Sequence, residues 1–231
     1  MPDISPAHLF GAEGTEEAVI NDLIVQSALD RLRDHGALPP GLPVDWSGYH
    51  EVATRVTSAF EVQVSSITTR MSRLLYGIAQ AVTPSALACV GSAWGNAVAW
   101  LAAGAPDSYV LGIDVDADAT AVAARNFRRA GLRADWLIAD GRQLEPLLGR
   151  RFDLVLLDAD DPHSGKGLLA ELLPSLRPLL APSAVVAAHD SCHPKFVDDF
   201  AVYRTALRAV LNARVSVRMP IDWCGLEVTA L

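Results

Sequence analysis

From about residue 84 onward, short apolar runs alternate with stretches whose apolar residues recur at helical spacing. The runs Ala86–Val90, Tyr109–Ile113, Ala134–Ile138, Leu154–Leu157 and Ala184–Ala188 are close to continuously apolar. That pattern predicts strands buried on both faces of a parallel sheet. The stretches Asn96–Ala103, Asp118–Ala130, Lys166–Leu180 and Phe196–Leu211 predict the intervening helices. Near the end, VSVRMP and GLEVTAL follow one another with no helix between them. Two strands joined without a crossover pair antiparallel. The pattern therefore predicts an α/β, Rossmann-like fold with a seven-stranded, mostly parallel sheet and an antiparallel last strand.

Before residue 84 the pattern is helical. Val19, Leu23, Ile24, Leu29 and Leu32 fall roughly on one face of a helix over residues 15–35, and Gly36 stops it. ALPPGLP, residues 37–43, reads as a stiff linker. A second helical stretch covers about Val52 to Ala81, as one helix or two. The chain thus divides into an N-terminal helical segment, residues 1–61, serving as a lid or oligomerisation element, and a main domain, residues 62–231.

A chain of 231 residues can bury one sizeable α/β core. Its net charge is −8, with no basic stripe, which argues against nucleic acid as a partner. Cys89, Cys192 and Cys224 are far apart, and any disulfide would leave one unpaired, so a reducing cytoplasm is expected. No segment is long and apolar enough to span a bilayer, and MPDISPAHLF lacks the pattern of a signal peptide. A membrane partner is not expected.

The chemistry concentrates in Leu87–Asp114, which reads LACVGSAWG, NAVAWLAAGA, then YVLGID. A Gly-x-x-x-Gly turn at Gly91 and Gly95 joins an apolar run to a helix whose first N–H groups are free. Asp114, about 20 residues on, stands where a carboxylate grips a ribose diol. The turn is not G-x-G-x-x-G, so the glycine that lets backbone approach a pyrophosphate is missing. A ribose-bearing cofactor without phosphate fits better, and S-adenosylmethionine is the obvious one. Asp140, Asp158 and Asp190 also end or follow predicted strands, placing four acids with Asp114 on one rim. Any one of them could simply cap a helix. Four together, facing a cationic sulfonium, favour a ligand site.

At the level of motifs, residues 62 to 231 resemble the class I methyltransferases, and within them the catechol- and caffeoyl-CoA-type small-molecule O-methyltransferases. GSAWGN resembles the family's first motif, and GIDVDADATAVAARNFRRAGL its second strand and helix. IADGRQL resembles the adenine-binding loop, FDLVLLDAD and AVVAAHDS the fourth and fifth strand motifs, and DWCGLEVTAL the terminal strand. The resemblance implies that Gly91, Ser92 and Gly95 line the methionine portion. It places Asp114 on the ribose hydroxyls, Val115 against the adenine, and Asp140, Gly141 and Arg142 along the adenine edge. Asp158 would lie between cofactor and acceptor.

Metal-dependent members hold Mg²⁺ with Asp, Asp and Asn, positions that here are Asp158, Asp190 and Ser191. A serine hydroxyl is a poorer ligand than an amide carbonyl, so Mg²⁺ stays an open alternative. The first motif's usual acid is Cys89, and the usual lysine base is Asp161. Without that lysine a side chain near the acids must take the acceptor's proton. His163, in the polar loop DDPHSGKG, is the leading candidate, followed by Asp161 and His189, with Asp158 and Asp190 beside them. His193 is read as part of a helix-start loop, and Lys166 as a solvated helix-start residue. Trp46, Tyr49, Phe60 and Trp223 are candidates to wall an acceptor pocket, against ordinary packing. The expected function is methyl transfer to a small molecule, at oxygen, in specialised metabolism, with a homodimer through the N-terminal helices. Transfer to nitrogen or carbon, cyclisation of the aminocarboxypropyl arm, and a non-catalytic binding protein stay open as alternatives.

Overall fold

Continuously apolar runs become strands when each side of the sheet meets a helical layer. Leu87 and Cys89 of β1 (Ala86–Val90) enter one apolar cluster, while Ala86, Ala88 and Val90 enter a second cluster on the opposite face. The structure is a computed structural model and describes residues 13–63, 66–144 and 149–231. The first 12 residues of the predicted N-terminal segment lie outside the described residues.

The chain enters through α1 (Thr15–Asp34), α2 (Trp46–Ala59) and α3 (Thr69–Val82). Then follow β1, α4 (Asn96–Gly104), β2 (Tyr109–Asp114), α5 (Ala117–Ala130), β3 (Asp135–Ile138) and β4 (Phe152–Leu157). The last elements are α6 (Leu168–Leu176), β5 (Leu180–His189), α7 (Val197–Ala206), β6 (Val215–Met219) and β7 (Leu226–Ala230). The strands form one sheet in the order β3-β2-β1-β4-β5-β7-β6. β7 runs antiparallel to both β5 and β6, and the other pairs are parallel. Strand order reverses between β1 and β4, so the crevice where open α/β sheets take ligands lies at the carboxyl ends of these two strands.

The second helical stretch is two helices, separated at residues 60–68. Asp45 caps α2 by accepting from the Ser47 N–H, and the Thr68 hydroxyl caps α3 by accepting from the Met71 N–H at 3.1 Å. Thr68 also donates to Asp222 at 2.6 Å, tying the start of α3 to the loop before β7.

The apolar positions of α1 divide into two stripes rather than one. Val25, Ala28, Leu29 and Leu32 are buried, whereas Val19, Ile20, Leu23 and Ile24 face outward, Leu23 at 66% exposure. At about 100° per residue the two sets centre on opposite faces of the helix. The inner stripe shares an apolar cluster with Tyr49, Val56 and Trp100, and with Leu87 of β1. Fully buried Arg73 of α3 reaches back to α1, pairing with Asp22 at 2.7 Å and with Glu13. Nothing in the sequence pattern singled out this arginine.

Candidate functional site

Three chain segments meet at the crevice. After β1 the backbone turns at Gly91 (φ +84°), and a Cβ there would stand 2.4 Å from the Ala159 nitrogen. Only glycine lets the turn after β1 lie directly on the turn after β4. The Gly91 and Ser92 N–H groups both donate to the Ile113 carbonyl, at 2.9 and 3.0 Å. Gly95 (φ +85°) opens α4, packed so that a Cβ would press on Trp136 and Ala123. Ser92 is buried, and its hydroxyl has no hydrogen-bond partner.

At the end of β2, Asp114 is held toward this turn. Its two oxygens accept from the Ala93 N–H at 2.7 Å and the Asp116 N–H at 2.9 Å. Val115 is exposed beside it. Asp140 grips the Arg142 guanidinium through both oxygens, with contacts of 2.7 to 3.1 Å. Those side-chain hydrogen bonds, with one from the Arg142 backbone, hold the Asp140 carboxyl below its usual range. Gly141 packs against Leu172 and Val90, where a Cβ would come within 2.7 and 2.8 Å. Asp114, Val115, Asp140, Gly141 and Arg142 line a cavity of about 260 Å³. Asp161 also lines this cavity.

A second cavity, of about 550 Å³, adjoins the first and shares Gly91, Ala93, Asp158 and Asp160 with it. Its floor is an ion cluster. One Asp158 oxygen accepts from Lys166 Nζ and from His189 Nδ1, both at 3.0 Å. Lys166 Nζ also contacts an Asp190 oxygen at 2.9 Å. Burial pushes the Asp158 carboxyl up, but the cations of His189 and Lys166 outweigh it and hold the group well below its ordinary range. Burial likewise opposes charge on Lys166, and Asp158 with Asp190 reverses this and raises its pKa. His189 is raised by the same Asp158, against desolvation. His189 Nε2 is buried without a partner. Asp190 adopts φ +71°, a left-handed conformation that a non-glycine residue keeps only where its surroundings enforce it.

Several expectations need correction here. Lys166 is not a solvated helix-start residue: its side chain is 3% exposed and it precedes α6. The loop after β4 doubles back, Asp161 and Gly165 exchanging backbone hydrogen bonds at 3.0 and 2.8 Å. This fold returns Lys166 to Asp158, eight residues earlier. His163 is the opposite case, 95% exposed at the tip of that loop and lining neither cavity. Asp161 spends one oxygen on the His163 and Ser164 N–H groups, as a turn former does. His193, which caps the turn at Pro194, does line the larger cavity. Trp46, Tyr49 and Phe60 pack in aromatic clusters away from both cavities, and Trp223 is exposed against His193. Trp94 and Phe196 supply the aromatic wall instead.

The proposed Mg²⁺ donor set does not fit. Ser191 is buried with its hydroxyl 3.9 Å from Cys192 Sγ, and it lines neither cavity. Asp158 and Asp190 already share an ammonium. S-adenosylmethionine fits the paired cavities: a close-backbone turn, an unpartnered buried hydroxyl at Ser92, and carboxylates at the far end suit its amino-acid and ribose portions.

Comparison with known proteins agrees with this geometry. Residues 88–183 match the family profile described as a methyltransferase domain. An O-methyltransferase from Bacillus cereus, solved with S-adenosylhomocysteine, is 16% identical with a TM-score of 0.63, covering 91% of this chain and 99% of its own. TomG from Streptomyces achromogenes, an O-methyltransferase of tomaymycin synthesis solved with S-adenosylmethionine, is 17% identical with a TM-score of 0.62 and coverages of 90% and 95%. Cofactor-bound Rv0187 from MTB is 20% identical with a TM-score of 0.62, covering 80% and 90%. No curated protein sequence matches the chain. The fold is that of the class I S-adenosylmethionine-dependent methyltransferases, and its residues 88–183 match a methyltransferase-domain profile.

Proposed function

We propose that the protein transfers the methyl group of S-adenosylmethionine to a hydroxyl oxygen of a small-molecule acceptor. In this reading Asp114 takes the ribose hydroxyls, Val115 covers the adenine, and Asp140, Gly141 and Arg142 border its edge. Gly91, Ser92 and Gly95 hold the methionine portion, and the acceptor fills the larger cavity. The observation that carries the reading is the junction of the two cavities at Gly91 and Asp158, with His189 lining the larger one.

Bound S-adenosylmethionine supplies an electrophilic methyl group. The residues must then orient one hydroxyl toward it and remove its proton. Asp158 accepts the His189 Nδ1–H, which leaves the neutral ring's lone pair on Nε2. His189 therefore acts as the base, Asp158 as the group that sets its tautomer, and Lys166 with Asp190 as the charged frame around them. No step runs through Mg²⁺.

O-methyltransferases among the structural neighbours support oxygen as the target. The outward stripe of Val19, Ile20, Leu23 and Ile24 supports a homodimer through the segment 1–61, the part set apart from the main domain 62–231. No described helix is long and apolar enough to cross a membrane, and the three free thiols suit a reducing, cytoplasmic setting. Incubation with methyl-labelled S-adenosylmethionine and a panel of hydroxylated small molecules tests the function. The expected products are an O-methyl ether and S-adenosylhomocysteine. Release of methylthioadenosine would replace this reading with cyclisation of the aminocarboxypropyl arm.

A further inference from the structure

Asp158 and Asp190 stand at the carboxyl ends of β4 and β5, and the chain sets its own cation between them. Lys166 Nζ lies 3.0 Å from an Asp158 oxygen and 2.9 Å from an Asp190 oxygen. The ammonium is buried, as is the His189 ring that shares the same Asp158 oxygen. We propose that Lys166 is a built-in cation that stands where a divalent metal would sit between Asp158 and Asp190, excluding the metal and anchoring the acceptor through its remaining N–H.

Three observations carry this beyond the function proposed above, on which only the acceptor contact rests. The first is positional: the Asp161–Gly165 backbone bridge and the bond from the Lys166 N–H to Asp199, at 2.9 Å, pin the lysine from both sides. Such a fixed backbone makes the ammonium part of the site rather than a swinging surface group. The second is charge. An ammonium already balances one of the two carboxylates, and a divalent ion beside it would meet repulsion in a poorly screened interior. The third is donor chemistry. Ser191 offers no oxygen to the cavity, so a metal admitted in place of Lys166 would be held by the two carboxylates and solvent, weakly enough for the fixed ammonium to keep it out. His189, Asp190 and Cys224 do bring ligand atoms within 4.8 Å of one another. Their use by a softer metal would compete with the Asp158 bond to His189 and the Lys166 bond to Asp190.

An ammonium has three donors. Two are accounted for by Asp158 and Asp190, and Lys166 lines the acceptor cavity. The third N–H suits one acceptor oxygen. A metal with several open positions can chelate two adjacent oxygens, whereas a single N–H holds one. The acceptor class is therefore a molecule presenting an isolated hydroxyl, with no requirement for a vicinal diol.

Calorimetric titration of the full chain with Mn²⁺ and separately with Zn²⁺ tests the proposal, with S-adenosylhomocysteine binding measured in parallel. Wild type is expected to bind neither metal, and its S-adenosylhomocysteine affinity to be the same after chelator treatment. Lys166→Ala, verified as folded by circular dichroism, is expected to gain a one-to-one Mn²⁺ isotherm that Asp190→Asn in the same background removes. Stoichiometric binding of either metal to wild type overturns the proposal, whether or not the variant folds. A folded Lys166→Ala protein that binds no Mn²⁺ overturns the claim that Lys166 keeps the metal out. Failure of S-adenosylhomocysteine to bind would remove the methyltransferase reading, while the metal isotherms would still decide the role of Lys166.

Discussion

The two ends of the site are built by different means. The small cavity is built from the tight turns that follow β1, β2, β3 and β4, with Asp114 bonded to the backbone of the Gly91 turn. The large cavity comes from convergence: Asp158 follows β4, Lys166 returns by a doubled-back loop, His189 ends β5, and Thr68 with Asp222 arrives from opposite ends of the chain. The first end relies on backbone shape, which tolerates few residues. The second relies on mutually neutralising side chains, whose exchange can alter chemistry without altering the fold.

The largest expected effect tests the convergent end. His189→Asn keeps a group able to hydrogen-bond Asp158 but removes the base at Nε2. With an acceptor found by the labelled-cofactor screen, kcat is expected to fall about 10²–10⁴-fold, the usual contribution of a positioned base. S-adenosylhomocysteine affinity, which belongs to the other end, should hold by calorimetry. A variant with wild-type kcat would remove His189 from the mechanism and bring His193 forward.

The next test concerns backbone shape. Gly91→Ala places a Cβ 2.4 Å from the Ala159 nitrogen and at a positive φ, so the turns after β1 and β4 must separate. The expected loss of stability is roughly 2–4 kcal/mol by denaturant unfolding, from overpacking and the left-handed conformation together. Asp114→Ala is smaller and acts on binding. Losing hydrogen bonds to a charged acceptor costs about 1.5–3 kcal/mol, or roughly 10–100-fold in S-adenosylmethionine affinity by calorimetry. Unchanged affinity would take the ribose away from Asp114.

This contrast also explains what the sequence made legible. The alternation of strands and helices, the antiparallel ending and the Gly91 turn follow from short-range patterns, and the observed sheet matches them. Lys166 did not follow, because its role depends on Asp161 and Gly165 pairing so that the three residues between them drop out of the path to Asp158. His163 stands out by residue type and by its place in a long polar loop, and the same turn carries it out to solvent. Ser191 follows Asp190 in sequence, but it is buried and lines neither cavity. In α1 the apolar residues gave the helix, and only packing separated the inner stripe from the outer one.

The smallest expected effect lies where the two ends meet. Ser92 is buried in the turn after β1, with a hydroxyl that no group among the described residues satisfies. A buried hydroxyl without a partner is a standing cost unless a ligand completes it. If the methionine portion of the cofactor supplies the missing partner, Ser92→Ala weakens S-adenosylhomocysteine binding by about 0.5–1.5 kcal/mol, roughly 2–10-fold. The free protein should lose no stability, and removal of an unsatisfied group is expected to raise its melting temperature slightly. The two readouts thus move in opposite directions only if the hydroxyl serves the ligand. Equal destabilisation of free and bound forms would instead mark Ser92 as a packing residue, and the shape-built end of the site would then rest on Gly91 and Asp114 alone.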